Sequence, residues 1–581
     1  MAHPMAAGTA PGQRQLNGPQ TTGREYRNLS TAEHDMVVQY DVGVPMRDGT
    51  VLRADIRRPA SGGLFPALLS AAPYPRQLQD LGAPAGVIEA GASDFWVPRG
   101  YGHVIANLRG TVGSGGTWGA FDSQERRDLY DLVEWVAAQP GCDGGVGMIG
   151  ISYYAMTQLA ATSQRPPHLR AVFPFDVTVS LREAAYHNGL LSSGFIGPWL
   201  NTVGVLSAHG DRVYRGPVAN LLRRVFAAPA VHRRFATTGG AAVVRALRLT
   251  GRLPHAGRPW NDLWNAVAVD HPTRDVWWAE RDLTPLLAGV DIPVYLGSEW
   301  SNVPLHLPGA FAAWDALSSN PHVRLSILGE HGLPWPWESM HLEALAWFDL
   351  WLKGRETGIL DGPPIRYRLP GADGIDGSDG AGGWRTSDVW PPPADHTELA
   401  LNADASLGGA EHQGARSYAT PDLAAPGLPD VIAWTTGPLT ADVDVVGHGE
   451  LQLTASSSAT DTAWIALLQD VAPDGSVSDV TQGWLRAGLR EVDEAASTLG
   501  RPVLPQRRSV PVPPDRPVRY RIPLVPAARR FGRGHRIRLA LTSDDTSRNA
   551  HAMLNFTHTP VGDDTVNTVY SSSRLLLPVL R

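Results

Sequence analysis

The sequence predicts an α/β fold built on a parallel sheet, with a helical insertion and a following all-β unit. Three observations carry this. Between Phe65 and Phe175, buried-strand candidates alternate with helical periodicity, the pattern of a parallel sheet with crossover helices. A short glycine-bearing turn, Gly150-Ile151-Ser152-Tyr153-Tyr154, joins one apolar run to a stretch able to continue as a helix. Beyond Gly362 the runs become short, of period two and rich in turn residues, which reads as a β-sandwich.

The elements follow in order. VVQYDVGV and VLRADIRRP flank Met46-Arg47-Asp48-Gly49, and the Asp-Gly pair between alternating runs signals a hairpin. FPALLSAAPY and YGHVIANLRG are buried-strand candidates, each ending in a polar or glycine-bearing loop. A helix is expected over 122–138, where Leu129, Leu132, Val133 and Val136 share one face and Asp122 with Glu125 resembles a capping box. VGMIG, the Ser152 turn, a helix and the strand RAVFPF complete the alternation. Residues 177–285 depart from it: Val218, Leu221, Leu222, Val225 and Phe226 keep helical spacing, and helical stretches recur at 241–248 and 274–288. An insertion placed after the strand that follows the Ser152 turn is well placed to roof a pocket. Alternation resumes with IPVYLG, HVRLSILGEHG and a helix carrying Leu342, Leu345, Trp347, Phe348 and Trp351. Later, Leu451, Leu453 and Ala455 alternate with polar residues, as do Ile537, Leu539 and Leu541.

These readings divide the chain into an N-terminal arm over 1–34, rich in Gly, Pro, Gln and Thr and expected to be disordered; a first core segment, 35–176; a helical cap, 177–285; a second core segment, 286–362; and a β-sandwich, 363–581.

At 581 residues, with 43% hydrophobic and 18% charged, the composition is that of a soluble globular protein of several domains. The net charge of -7 is spread along the chain, and Lys353 is the only lysine, so arginine abundance reflects composition and gives no nucleic-acid footprint. Cys142 is the sole cysteine, which excludes an intrachain disulfide and a cysteine-based metal site. Neither a secretory leader nor a membrane span is expected, so the default is a cytoplasmic protein that does not engage membranes. With no HExxH or comparable spacing, no metal or cofactor is implied. Homo-oligomerisation is compatible with the sequence.

Ser152 is the chemically informative residue. A serine on a strand-to-helix turn projects its hydroxyl beside a helix N-terminus, where backbone N–H groups and the macrodipole favour developing negative charge. The nucleophile-elbow pattern Gly-x-Ser-x-Gly is broken in its last position by Ala155, a residue still small enough for close helix-to-strand packing. At the carboxyl end of a central strand, Ser152 would sit where open α/β sheets place their ligands.

The chain resembles the α/β-hydrolase family that includes bacterial cocaine esterase, α-amino acid ester hydrolases and X-prolyl dipeptidyl aminopeptidases. The matching segments, in the family's order, are VPMRDGTVLRADIRRP, Ala72-Pro73-Tyr74, the Arg109-Gly110 turn, GCDGGVGMIGISYYAMTQ, VDHPTRDVWW, WFDLWLKGRETG, ATDTAWIALLQDVAPDG and FGRGHRIRLALTS. The resemblance implies an α/β-hydrolase core with a helical cap and a C-terminal jelly roll. It also implies Ser152 as nucleophile, the Tyr74 phenol and the Tyr153 backbone N–H as oxyanion donors, and His331 of ILGEHG as base, with His306 the rival among 19 histidines.

The chain departs from the family at the acid. Where the family has an aspartate, this chain reads Gly297-Ser298-Glu299-Trp300-Ser301-Asn302. Aligning on the tryptophan puts Asn302 at the acid position, and a gap-free alignment puts Ser301 there; Glu299 and Glu330 are neighbours in sequence. Asparagine can orient an imidazole but serves a serine nucleophile poorly, so either a nearby glutamate substitutes or hydrolysis is weak.

Three functions fit. The first is a serine hydrolase cleaving a small-molecule ester or amide through an acyl-enzyme, including the X-Pro dipeptidyl aminopeptidase variant. That variant needs a carboxylate for the substrate α-ammonium, and the sequence singles none out. The second is an acyltransferase using the same intermediate, with Trp260, Trp264, Trp277, Trp278, Trp335 and Trp337 excluding water. The third is a binding protein that has lost its acid.

Overall fold

The computed structural model of the chain describes residues 24–81, 89–208, 257–329, 336–372, 383–420, 431–546 and 556–581, and singly Pro217 and Leu221. Its centre is a ten-stranded sheet. The first six strands are β1 (Met36–Pro45), β2 (Val51–Pro59), β3 (Phe65–Ala72), β4 (Gly102–Asn107), β5 (Cys142–Ile151) and β6 (Leu169–Phe175). After the cap come β7 (Val294–Glu299), β8 (Val323–Leu328), β9 (Ile365–Arg368) and β10 (Trp384–Ser387). Their spatial order is β1-β2-β4-β3-β5-β6-β7-β8-β9-β10. From β4 through β9 neighbours run parallel, while β1, β2 and β10 add antiparallel edges. Parallel strands covered on both faces bury long apolar runs, and β5 is wholly buried from Val146 to Ile151.

Local signals account for most of these elements. The hairpin turns at Met46–Gly49, where Gly49 has φ +83° and donates its N–H to the Met46 carbonyl at 2.9 Å. Helix α1 (Ser123–Ala137) begins at Asp122, whose side chain accepts the Glu125 N–H at 2.8 Å. Leu129, Leu132, Val133 and Val136 are all buried. The reciprocal half of the expected capping box does not form: the Glu125 carboxylate turns inward and accepts from the Tyr153 hydroxyl at 2.9 Å and the Phe121 N–H at 3.3 Å. A phenol facing it from α2 (Tyr153–Thr162) outcompetes the cap.

Two expectations change. The sheet continues past Gly362: β9 and β10, read as part of the sandwich, pair onto β8 and so belong to the hydrolase sheet. Of the arm over 1–34 read as disordered, 1–23 lie outside the described residues, while 24–34 pack on the end of the helix Pro336–Lys353, on the loop that follows it and on Pro98. The wholly buried Asp349 carboxylate there needs partners, and it takes them from the Ser30 N–H at 2.6 Å, the Ser30 hydroxyl at 2.6 Å and the Tyr101 hydroxyl at 2.7 Å.

In the cap, α3 (Ser193–Ala208) and shorter helices at Trp260–Asn265, Val276–Glu280 and Thr284–Leu287 are described. Val218, Leu222, Val225, Phe226 and 241–248 lie outside the described residues, and Leu221 is exposed. Beyond β10, antiparallel strands form an eight-stranded and a four-stranded sheet over a core of their own. Leu451, Leu453 and Ala455 point into it from Glu450–Ser457, as do Ile537, Leu539 and Leu541 from Arg536–Thr542. This domain buttresses the cap. His558 pairs with Asp545 at 2.7 Å and with His187 at 2.7 Å, His187 reaches the Pro304 carbonyl at 2.5 Å, and Phe556 packs on Phe195. Among the described residues, no helix is long and apolar enough to cross a membrane.

Candidate active site

Ser152 caps α2 with φ 58° and ψ −120°, a conformation that non-glycine residues adopt only where the surroundings enforce it. The enforcement is visible. Gly150 sits at φ +145°, and a Cβ there would come within 2.2 Å of the Tyr154 Cβ, so only glycine fits beneath the helix. Gln158 ties α2 to the sheet, donating to the Gly150 carbonyl at 3.0 Å and accepting the Phe173 N–H at 2.9 Å. Thr157 ties it to β3 through the Ala71 carbonyl at 2.8 Å. Ala155, at the broken motif position, is fully buried in the core. From Ile151 to Thr162, Ser152 alone is not buried.

Tyr74 faces this serine. Asn107 holds its loop, donating to the Tyr74 carbonyl at 2.6 Å and the Ala72 carbonyl at 3.2 Å. The Trp199 indole N–H of α3 donates to the Tyr74 phenol oxygen at 3.0 Å, and the Ser152 hydroxyl is also in hydrogen-bonding reach. Burial, reinforced by the nearby Glu89 carboxylate, holds the phenol well above its ordinary pKa, so Tyr74 keeps its proton. With the oxygen occupied by Trp199, that proton is the group left to donate. The Tyr153 N–H, at the first position of α2, has no intrahelical acceptor by geometry. Its side chain packs among the rings of Tyr74, Trp118, Phe121 and Trp199.

The orienting region differs from the sequence expectation. The register pairs Ile151 with Phe175 and Phe175 with Gly297, so Ser152, Asp176 and Ser298 follow side by side at three adjacent strand tips. The Ser152 N–H donates to the Phe175 carbonyl at 3.1 Å, and the Asp176 N–H to the Gly297 carbonyl at 2.8 Å. Asp176, with φ 52° and a buried side chain, accepts from the Ser298 hydroxyl at 2.8 Å and also bonds the Asn302 side chain. Asn302 is therefore engaged by a carboxylate. Glu299 accepts from the Ser301 hydroxyl at 3.3 Å. Burial pushes both acids up, and the Asp176 charge pushes Glu299 further. Burial likewise raises Glu89, whose carbonyl accepts the Ile151 N–H at 3.0 Å.

His331, Glu330 and Trp335 lie outside the described residues. His306 pairs with the Thr178 hydroxyl at 3.0 Å, and burial depresses it to about 3; among the described residues no hydrogen bond joins it to Ser152. Trp260 and Trp278 are core residues, Trp264 and Trp277 half-buried. The sequence reading missed Trp199, which no local pattern marks. It also missed Asp176, whose one signal is a carboxylate directly after the strand that follows the elbow helix.

The comparisons with known proteins now bear on this geometry. Residues 48–334 match the family model of X-Pro dipeptidyl-peptidase (S15 family), and 358–570 that of the X-Pro dipeptidyl-peptidase C-terminal non-catalytic domain. The chain belongs to the X-Pro dipeptidyl-peptidase (S15) family. It is similar to cocaine esterase of Rhodococcus sp. (strain MB1 Bresler), 27% identical over 573 residues covering 87% of this chain and 91% of the relative. A putative serine esterase of Mycobacterium tuberculosis (strain CDC 1551 / Oshkosh) is 26% identical over 634 residues, covering 93% and 95%. In fold it resembles a CocE/NonD family hydrolase from Staphylococcus aureus, with TM-score 0.75 and 21% identity over 98% of this chain and 100% of that one. An α-amino acid ester hydrolase matches with TM-score 0.69 and 19% identity, covering 98% and 100%. As a member of this family the protein is a serine hydrolase of the esterase type, and its sheet, helical insertion and antiparallel C-terminal domain are the family's architecture.

Proposed function

We propose that the protein hydrolyses a small-molecule carboxylic ester through an acyl-enzyme on Ser152. The observation that carries this reading is the half-buried Ser152 hydroxyl on its constrained turn, beside a Tyr74 phenol whose oxygen is already occupied by Trp199.

The Ser152 oxygen attacks the ester carbonyl while its proton passes to the base, His331. Charge then develops on the former carbonyl oxygen, and the Tyr74 O–H and Tyr153 N–H are the donors that meet it. Collapse breaks the carbon–oxygen bond to the alcohol, which leaves with the proton from the base. Water, giving its proton to the same base, attacks the acyl carbonyl and releases the acid and free Ser152. The buried donors need no reorganisation, which is where such sites gain most of their rate.

The names of the curated relatives favour an ester over an amide. The test is hydrolysis of p-nitrophenyl butyrate by the full chain. Rapid mixing should give a burst of p-nitrophenol of up to one equivalent per Ser152 wherever deacylation is slower than acylation. Ser152→Ala should abolish turnover. Turnover unchanged in Ser152→Ala would overturn the reading.

A further inference from the structure

We infer that Asp176 is the positioning carboxylate for the histidine base, standing in for the acid that the family carries at the place of Ser301 and Asn302. This rests on the acyl-enzyme reading above and extends it.

An orienting acid must sit at the carboxyl end of the sheet, within reach of an imidazole that also reaches the serine. In this chain that end carries Ser152 directly after β5, Asp176 directly after β6, Glu299 at the end of β7 and Asn302 beyond it. Adjacent strands are about 4.8 Å apart, so Asp176 is one strand from the nucleophile and Asn302 is two. A carboxylate moved one strand toward the serine stays on the same edge of the sheet and becomes the nucleophile's direct neighbour.

Asp176 is also firmly held. Its backbone is in the left-handed region at φ 52°, its N–H is fixed to the Gly297 carbonyl, and its side chain is buried. The Ser298 hydroxyl and the Asn302 side chain bond it. A carboxylate has about four acceptor sites, and these two donors leave capacity for an imidazole N–H. The residue at the vacated acid position thus acts on the carboxylate that replaces it. Asparagine there removes the repulsion two neighbouring acids would suffer and adds a donor that fixes the Asp176 rotamer.

Glu299 is the competitor. Its carboxyl holds the Ser301 hydroxyl at 3.3 Å, longer than the 2.8 Å Ser298 contact to Asp176, and it sits at the end of β7, one strand further from the nucleophile.

The experiment compares the full chain with Asp176→Asn, Glu299→Gln and the double variant Asp176→Asn/Asn302→Asp, measuring p-nitrophenyl butyrate hydrolysis against pH. Asp176→Asn is expected to lower kcat about 10³- to 10⁴-fold, as loss of the orienting carboxylate does in one serine triad. It should also shift the acid limb of kcat/KM to lower pH, because the imidazolium loses its anionic partner. Glu299→Gln should cost less than tenfold. The double variant should recover at least tenfold of the loss, since it moves the carboxylate back to the family position. A kcat within threefold of the parent in Asp176→Asn, an unmoved acid limb or no recovery in the double variant overturns the proposal. Should Asp176→Asn not fold, Asp176→Ser is assayed with and without formate; activation by formate supports the proposal and its absence overturns it. Fluorophosphonate labelling of the parent separates the two readings: an unlabelled Ser152 defeats the acyl-enzyme, whereas labelling with an indifferent Asp176→Asn defeats only this inference.

Discussion

Replacing Tyr74 by phenylalanine separates a catalytic cost from a structural one. The substitution keeps the ring, which packs edge-on against Tyr153 at 6.3 Å, and removes only the hydroxyl. Two bonds depend on that oxygen. One is the donation from Trp199 at 3.0 Å, so Tyr74→Phe leaves an indole N–H without its acceptor. A buried orphan donor costs about 1–3 kcal/mol, and because Trp199 is only half-buried the lower figure, about 1 kcal/mol, applies. In a protein larger than a typical domain that lowers Tm by roughly 2 °C. The other is the proton left for the oxyanion. Loss of one preorganised donor costs about 2.7–4 kcal/mol in the transition state, a factor of about 10² to 10³ in kcat. Because the donor meets charge that exists only in the transition state, KM should change little. The assay is steady-state p-nitrophenyl ester hydrolysis beside a thermal melt. Trp199→Phe serves as control: it frees the phenol oxygen but keeps its proton, and should lose no more than about tenfold in kcat, well short of the range above for a lost donor. A Tyr74→Phe enzyme within threefold of the parent kcat would refute the oxyanion role. A large loss of stability without a rate effect would make Tyr74 a purely packing residue.

Three further outcomes are expected. Gly150→Ala forces a Cβ to 2.2 Å from the Tyr154 Cβ at a φ of +145°; it should destabilise by about 3 kcal/mol or more or yield insoluble protein, and a soluble variant of parental Tm contradicts the elbow geometry. Burial holds Glu125 protonated to about pH 8, against about 4.5 in the unfolded chain, so the stability it contributes is full below about 4.5 and is lost as pH rises to about 8. Glu125→Gln removes that loss, and urea melts at pH 8 should show it more stable than the parent by up to several kcal/mol; a less stable variant at pH 8 contradicts the buried neutral carboxyl. Burial, with the neighbouring His558, depresses His187 to about 3 from an unfolded value near 6.5, so the stability it contributes is full above about 6.5 and falls as pH drops toward 3. In His187→Gln the fall between pH 6.5 and 5 should be shallower than in the parent by about 1 kcal/mol per unit, and parallel urea-stability curves would contradict it.

Much of the fold is legible in the chain because its signals are local. The α1 stripe, the Asp48-Gly49 hairpin and the glycine before Ser152 each act within a few residues, and each forms. What escapes is pairing between segments distant in sequence. Glu125 satisfies a capping pattern yet turns to Tyr153, 28 residues away, because a buried phenol offers a better partner. Ser30 is ordered by Asp349 on the far end of the core. The strands Ile365–Arg368 and Trp384–Ser387 are too short for their periodicity to tell which sheet they join. At the site, Ser152 and Tyr74 stand in motifs, whereas Trp199 and Asp176 matter through neighbours on other elements. Asn302, read as a weakened acid, takes its meaning only once Asp176 is seen beside it.

The central claim is that the Ser152 hydroxyl is a nucleophile. Incubation of the native protein with a fluorophosphonate, followed by peptide mass spectrometry, tests it most directly. One stoichiometric adduct on Ser152, absent after heat denaturation and slowed in Tyr74→Phe, is the expected result. A native protein carrying no adduct on Ser152, or the adduct on another serine, contradicts it.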